Sequence, residues 1–262
     1  MFGFHDNAAI TKNLNETGAL LDSLMLTSGD SGGGADDDKE SMIVSLANTI
    51  LGEIPDIFDM AYAREHYDTD YMQSMNSVLT QELEKYNTLI RLIKSSLDEL
   101  KKAIAGEALL SPQLEAALNS MSLNLIPDIW KAKSFNSLKP LGSYVKDVKS
   151  RIEFFEDWLR NGIPRIFYIN KFFFAHGFLT GARQNYARKF KIPIDTMDLD
   201  YKVIADTESP APEDGVYVMG MYMEGCKWDT GSEVLAESDP KILFTLCPMV
   251  WFIPIKAVDK NT

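Results

Sequence analysis

The chain has 262 residues, 45% hydrophobic and 24% charged, with 38 Asp and Glu against 26 Lys and Arg and hence a net charge of −12. That apolar content supports one large domain or two smaller ones. The acidic balance argues against a nucleic-acid partner, whose affinity rests on phosphate neutralisation, and no apolar run approaches the roughly 18–20 residues needed to span a bilayer.

The N-terminal MFGFHDNAAITKN lacks the basic and apolar regions of a signal peptide. The Asn15-Glu16-Thr17 sequon therefore reads as chance. Over residues 10–26 the spacing of Ile10, Leu14, Leu21, Leu24 and Met25 predicts a helix. Residues 27–41, TSGDSGGGADDDKES, hold nothing apolar larger than Ala35 and predict a mobile acidic loop. A short helix is expected at about 41–51, with Ile43, Leu46, Ala47 and Ile50 on one side.

The strongest periodicity follows. Leu79, Leu83, Tyr86, Ile90, Ile93, Leu97, Leu100 and Ile104 step by four and three without a break, and Gly106 closes the run. A helix from about Tyr71 would be about 50 Å long at the usual rise per residue. It fits a coiled coil or a long bundle helix. The bundle is favoured, because three to four heptads is the minimum for a coiled coil. Ser111-Pro112 places an N-cap before a first-turn proline, opening a short helix with Leu114, Ala117, Leu118 and Met121. Residues 141–159 form another, its buried face Leu141, Tyr144, Val145, Val148, Ile152, Phe155 and Leu159, ended by Asn161-Gly162 and Pro164.

Residues 170–194, NKFFFAHGFLTGARQNYARKFKIPI, are aromatic and then basic. Phe174, Phe178, Ala182, Tyr186 and Phe190 recur every fourth residue, which reads as a core-facing helix, stopped at Ile192-Pro193. Arg183, Arg188 and Lys189 fall off that stripe, the last two where a helix C-terminus favours cations. A membrane-surface helix would carry basic residues along its whole polar face. From about 199 the period becomes two: LDYKV places Leu199, Tyr201 and Val203 on one face, and 215–224, 242–246 and 249–253 are strand-like. PAPEDG and DTGS mark turns, and Pro248 separates the last two runs. Helices first and antiparallel strands after give an α+β class with segregated elements.

Candidate chemistry is sparse. Gly29-Asp30-Ser31-Gly32-Gly33 matches the sequence around a trypsin-like nucleophile and also the G-x-S-x-G elbow. The elbow needs a strand before it and a helix directly after, and a trypsin-like triad needs its His and Asp upstream. Only His5 precedes Ser31, so the segment reads as loop. No G-x-x-x-x-G-K-[ST] occurs, so there is no phosphate cradle of that kind. His5, His66, His176, Cys226 and Cys247 lack zinc spacing. The two cysteines make no disulfide framework and read as reduced thiols in a cytosolic setting. Asp36, Asp37 and Asp38, or Asp68 and Asp70, could gather a cation but lack the glycine and distal glutamate of an EF-hand; they read as solvated charge. No catalytic, cofactor-binding or metal-binding residue is therefore expected.

Longer stretches carry a resemblance. FGFHDNAAITKNLNETGALLDSLML resembles the FGLHxNAxIT segment near the end of dynein heavy chains, and VLTQELEKYNTLIRLIKSSLDELKKAI is similar to the long helix that follows it there. SLKPLGSYVKDVKSRIEFFEDWL, FFFAHGFLTGARQNYARKFKIPID, DGVYVMGMYMEGCKWD and LFTLCPMVWFIPI resemble later segments in the same order, and the YARK, LKPLG and DGVY-like pieces are axonemal in style. The resemblance implies the tail end of an ATP-driven microtubule motor of cilia and flagella. Residues 1–106 would be the lid-like helical part of the sixth AAA+ module, and 107–262 the C-terminal domain, which packs on the AAA+ ring and ends in an incomplete β-barrel. ATP and Mg²⁺ would belong to upstream modules. Intermediate chains, light chains and microtubules would be met only through the parent protein, in the axoneme. Family members continue past VDKNT with further strands, so the barrel is expected to be short. A stand-alone interaction module using the acidic surface or the long helix is the alternative, and a hydrolase using Ser31 the remote one.

Overall fold

The computed structural model describes residues 17–18, 37–204 and 208–257. The expected helix over 10–26 lies outside these except for Thr17 and Gly18, which are helical; of the expected loop over 27–41, residues 27–36, with Ser31, lie outside, and 37–41 are helical rather than loop. Seven α-helices and eight strands are found among the described residues. In sequence order they are α1 Asp37–Glu53, α2 Met60–His66, α3 Ser74–Ile104, α4 Pro112–Ser122, α5 Asp128–Lys131, α6 Leu141–Asn161, β1 Ile166–Tyr168, α7 Ala175–Phe190, β2 Met197–Ile204, β3 Val216–Met219, β4 Tyr222–Glu224, β5 Cys226–Asp229, β6 Val234–Glu237, β7 Phe244–Leu246 and β8 Met249–Lys256. Helix α1 begins four residues earlier than the expected start at 41. Acidic residues suit a first helical turn, where the dipole favours negative charge.

The described residues divide into two compact units, one gathering Asp59–Glu82 with those from Phe155 onward, the other those up to Phe58 with Leu83–Phe154. The second, helical unit is built on the long apolar stripe. Leu83, Tyr86, Ile90, Ile93, Leu97 and Leu100 of α3 are all buried, with Ile43, Leu46, Ala47 and Ile50 of α1 and Leu141, Tyr144, Val145, Val148 and Ile152 of α6. The long helix is thus a packed core element, as the bundle reading expects. It stops in a Schellman turn. Gly106, at φ 75°, donates to the Ala103 carbonyl, and Glu107 N donates to the Lys102 carbonyl at 2.9 Å.

Two polar side chains inside the stripe hold this unit together. Asn87, 1% exposed, receives Phe58 N on Oδ1 at 2.7 Å and donates Nδ2 to Phe58 O at 2.9 Å. One carboxamide thereby satisfies both backbone groups of Phe58, in the segment between α1 and α2. Ser96 accepts the buried Trp130 Nε1–H at 2.8 Å and donates to Ile93 O at 3.0 Å. Ser111 caps α4 as expected, accepting from Leu114 N at 3.3 Å, with Pro112 in the first turn.

The first unit is mixed. Its sheet has the order β1-β3-β8-β2, β8 running antiparallel to both neighbours over Met197↔Lys256 to Ile204↔Met249 and Val216↔Phe252 to Val218↔Val250. Strand β1 pairs parallel with β3, so the sheet is not purely antiparallel. Two ribbons, β4–β7 and β5–β6, complete the strands. The pairings do not close into a ring. Among the described residues the expected incomplete barrel is an open four-stranded sheet with two ribbons, and the class is α+β.

The expected single run over 215–224 is broken at Gly220, φ 82°, where a Cβ would collide with the Asn170 carboxamide. Residues Ile166–Tyr168 were not expected as a strand. Three residues between a helix stop and an aromatic run carry too little alternation to be read. Pro254 is accepted in β8 because β3 pairs with β8 no further than Phe252, leaving a neighbour on one side only.

Beneath the sheet lies an aromatic cluster. Phe167 and Phe172 each lie 4.7 Å from Phe178 between ring centroids, and Trp158 meets Phe167 edge-on at 5.3 Å. Phe178 and Trp158 are fully buried. The aromatic stripe of 170–194 is only partly confirmed. Phe178 and Ala182 face the core, but Phe174 is 61% and Phe190 46% exposed. Phe174 lies outside the helix as its N-cap residue, and Phe190 is its last residue, so neither is held to the four-residue repeat.

Candidate functional site

The polar organisation of the mixed unit centres on α7 and the first turns of α3. Helix α3 opens at Ser74, whose N–H donates to Asn185 Oδ1 of α7 at 2.7 Å. Asn185 Nδ2 donates to Gln73 Oε1 at 2.8 Å, and that oxygen also receives Met75 N at 3.2 Å. At the other end, Glu82 of α3 receives Phe173 N at 2.8 Å and Phe174 N at 3.0 Å, where α7 begins. Each helix thus caps the start of the other. Helix α7 has no cap from its own N-cap side chain, and Glu82 brings a carboxylate to the end where the dipole favours one. Glu82 is 3% exposed.

Close approach of the two helices depends on Gly181. A Cβ there would stand 3.1 Å from Val78 Cγ2 and 3.6 Å from Met75 Cε. Arg188 completes the seam, donating to Ser74 Oγ at 2.8 Å and to the Tyr71 carbonyl, its guanidinium 4.3 Å from the Tyr71 ring centroid. Beside the seam a cleft of about 370 Å³ opens between α7 and the loops at 163–165 and 211–215. Its floor is Met75, Phe167 and Val216. Its rim carries Arg165, which donates to Ser209 O, and Lys189, which pairs with Asp214 at 2.8 Å and Glu213 at 3.3 Å. Lys189 is held above the usual lysine range, chiefly by its bond to Asp214. The arrangement fixes helix ends and a loop.

Those candidates weighed from sequence that lie among the described residues do not converge. Ser31, His5 and Asp36 lie outside the described residues, and Asp37 and Asp38 are helical in backbone. Asp70 Oδ1 receives Met72 N at 2.8 Å and the Asp68 carbonyl receives Asn76 Nδ2 at 3.0 Å, so both serve the α2–α3 turn. His66 Nδ1 lies 3.0 Å from Tyr62 O and its ring stacks on Tyr62, while His176 is exposed beside Phe174. Cys226 and Cys247 are free and half-buried; burial, with Cys226 nearby, pushes the Cys247 thiol up. No group of three or more His, Cys, Asp or Glu gathers around a metal position among the described residues.

Glu82, Asn185 and Arg188 were not singled out as structural anchors by periodicity. Glu82 left a trace. It sits three residues after Leu79 and four before Tyr86, so a carboxylate interrupts an apolar stripe. Asn87 and Ser96 interrupt it in the same way.

Residues 14–262 match the family described as the C-terminal domain of dynein heavy chains. The protein belongs to that family. It is 43% identical over 256 residues to dynein axonemal heavy chain 12 of Homo sapiens, covering 97% of the sequence here and 8% of that protein. It is 41% identical over 256 residues to dynein axonemal heavy chain 3 of Homo sapiens, covering 97% and 6%. With dynein axonemal heavy chain 1 of Homo sapiens it shares 40% over 267 residues, covering 100% and 6%. The sequence spans less than a tenth of the length of these dynein relatives.

Proposed function

We propose that this protein is a non-catalytic structural and regulatory C-terminal part of an axonemal dynein heavy chain, the ATP-driven, minus-end-directed microtubule motor of cilia and flagella. The observation that carries the reading is the family match over residues 14–262, joined to 43% identity with an axonemal heavy chain. Residues 1–106 contribute the lid-like part of the sixth AAA+ module and 107–262 the C-terminal domain. ATP and Mg²⁺ are handled by upstream modules, and intermediate chains, light chains and the microtubule are met only through the parent. The lack of a G-x-x-x-x-G-K-[ST] sequence supports a passive role.

Packing on the AAA+ ring is supported by the β4–β7 ribbon. Tyr222 and Leu246 are cross-strand partners and Phe244 lies two residues away on the same face; all three are at least 45% exposed. A photo-crosslinking residue placed at 244 in the parent heavy chain is expected to capture ring peptides. The isolated 262-residue protein is expected neither to hydrolyse ATP nor to bind it at micromolar concentration. Saturable ATP binding by the isolated protein, or crosslinks confined to proteins other than the parent, would overturn the reading.

A further inference from the structure

We propose that Ser209 is a phosphorylation site for a proline-directed serine/threonine kinase, and that Arg165 receives the phosphate. Two Ser-Pro pairs occur in the sequence, Ser111-Pro112 and Ser209-Pro210, and no Thr-Pro. Such a kinase takes its substrate extended, with a proline after the acceptor, where no backbone N–H needs a partner. The fold separates the two serines. Ser111 spends its side-chain oxygen on Leu114 N, and Pro112 is already in α4, so a kinase would have to unwind the first helical turn. Ser209 lies in the loop between β2 and β3, with Glu208, Pro210, Ala211 and Glu213 exposed. A residue before proline is steered to extended backbone, and Pro210 and Pro212 hold their own φ near the extended value.

What the phosphate would meet is also in place. The Arg165 guanidinium already donates to the Ser209 carbonyl, so a phosphoryl group on Oγ of the same residue falls within its reach. An arginine fork suits a phosphate better than a carbonyl. Among the described residues of this segment the acidic ones are Glu208, Glu213 and Asp214. Lys189 already pairs with the last two. In the transfer, Ser209 Oγ attacks the γ-phosphorus of the kinase's Mg–ATP, the bond to ADP breaks, and the hydroxyl proton passes to the kinase base. The product ties the loop more firmly to the 163–165 segment.

The test incubates the full 262-residue protein with a proline-directed kinase and Mg–ATP, then maps phosphate by mass spectrometry. One phosphate is expected, at Ser209, lost in Ser209→Ala and kept in Ser111→Ala. Amide exchange across 208–216 is expected to slow by about tenfold on phosphorylation of the parent, and by less than about twofold in Arg165→Gln. Arg165→Lys, which keeps a charge but not the fork, is expected to fall between them and serves if Arg165→Gln does not fold. No incorporation, incorporation at Ser111 in place of Ser209, or exchange that is unchanged or faster in the phosphorylated parent would each overturn the proposal.

Discussion

Arg188 sits in the last turn of α7, and from sequence it reads as a solvated cation near a helix end, worth about 0.5 kcal/mol. In the fold it bonds Ser74 Oγ and the Tyr71 carbonyl and lies over the Tyr71 ring. Arg188→Ala is therefore expected to cost about 1–2 kcal/mol, from lost hydrogen bonds and a partly exposed cation–π contact. Urea melts measure it, and an unmoved midpoint would return the residue to the solvated class. Tyr144 makes a different case. Its hydroxyl donates to Ser134 Oγ at 2.8 Å, and burial pushes its pKa up to about 12, with the Ser134 bond opposing. The fold thus favours the neutral phenol. That contribution is complete below the ordinary tyrosine value of about 10 and fades as pH climbs from there towards the folded value. The parent should lose stability across that window more steeply than Tyr144→Phe; parallel slopes would remove Tyr144 as the cause.

At the scale of elements, α7 is held by its centre and its ends by different forces. The centre is apolar. Phe178 is fully buried between Phe167 and Phe172, so Phe178→Ala is expected to cost about 3–5 kcal/mol, the range for an aromatic cavity. An unchanged denaturation midpoint would mean the cluster does not carry the helix. The approach to α3 is set by Gly181. Gly→Ala gains about 1 kcal/mol of helix propensity, but the new methyl meets Val78, a stiff β-branched side chain, 3.1 Å away. Overpacking of about 1–3 kcal/mol should outweigh the gain. The double variant Gly181→Ala with Val78→Ala should be more stable than the sum of its parts, because the clash is gone. Strict additivity would place the methyl in open space. The ends of α7 are polar, tied through Glu82 and Arg188, and these were the features the periodicity left unread.

For the whole molecule the net charge of −12 sets a general repulsion. Raising salt from about 10 mM to about 150 mM shortens the screening length from about 30 Å to about 8 Å. The thermal midpoint is expected to rise with it. A fall would show that exposed pairs such as Lys94–Asp56 outweigh the repulsion.

Unlike the short helices α2 and α5, the long helix α3, the Schellman stop at Gly106, the Ser111 cap of α4, the buried face of α6 and the family itself follow from the sequence alone. They are local: a four-and-three spacing, a cap residue and a φ-permissive glycine act within one or two turns. The tertiary structure alone decided that β1 joins the sheet in parallel, that Gly220 breaks one apparent strand into two, and that Phe174 and Phe190 stay exposed. It also decided that Glu82 and Asn185 cap each other's helices across sequence separations of 91 and 111 residues. Burial and hydrogen-bond partnership are properties of neighbours in space, and a periodicity reports only which face of an element is apolar, not what comes to meet it.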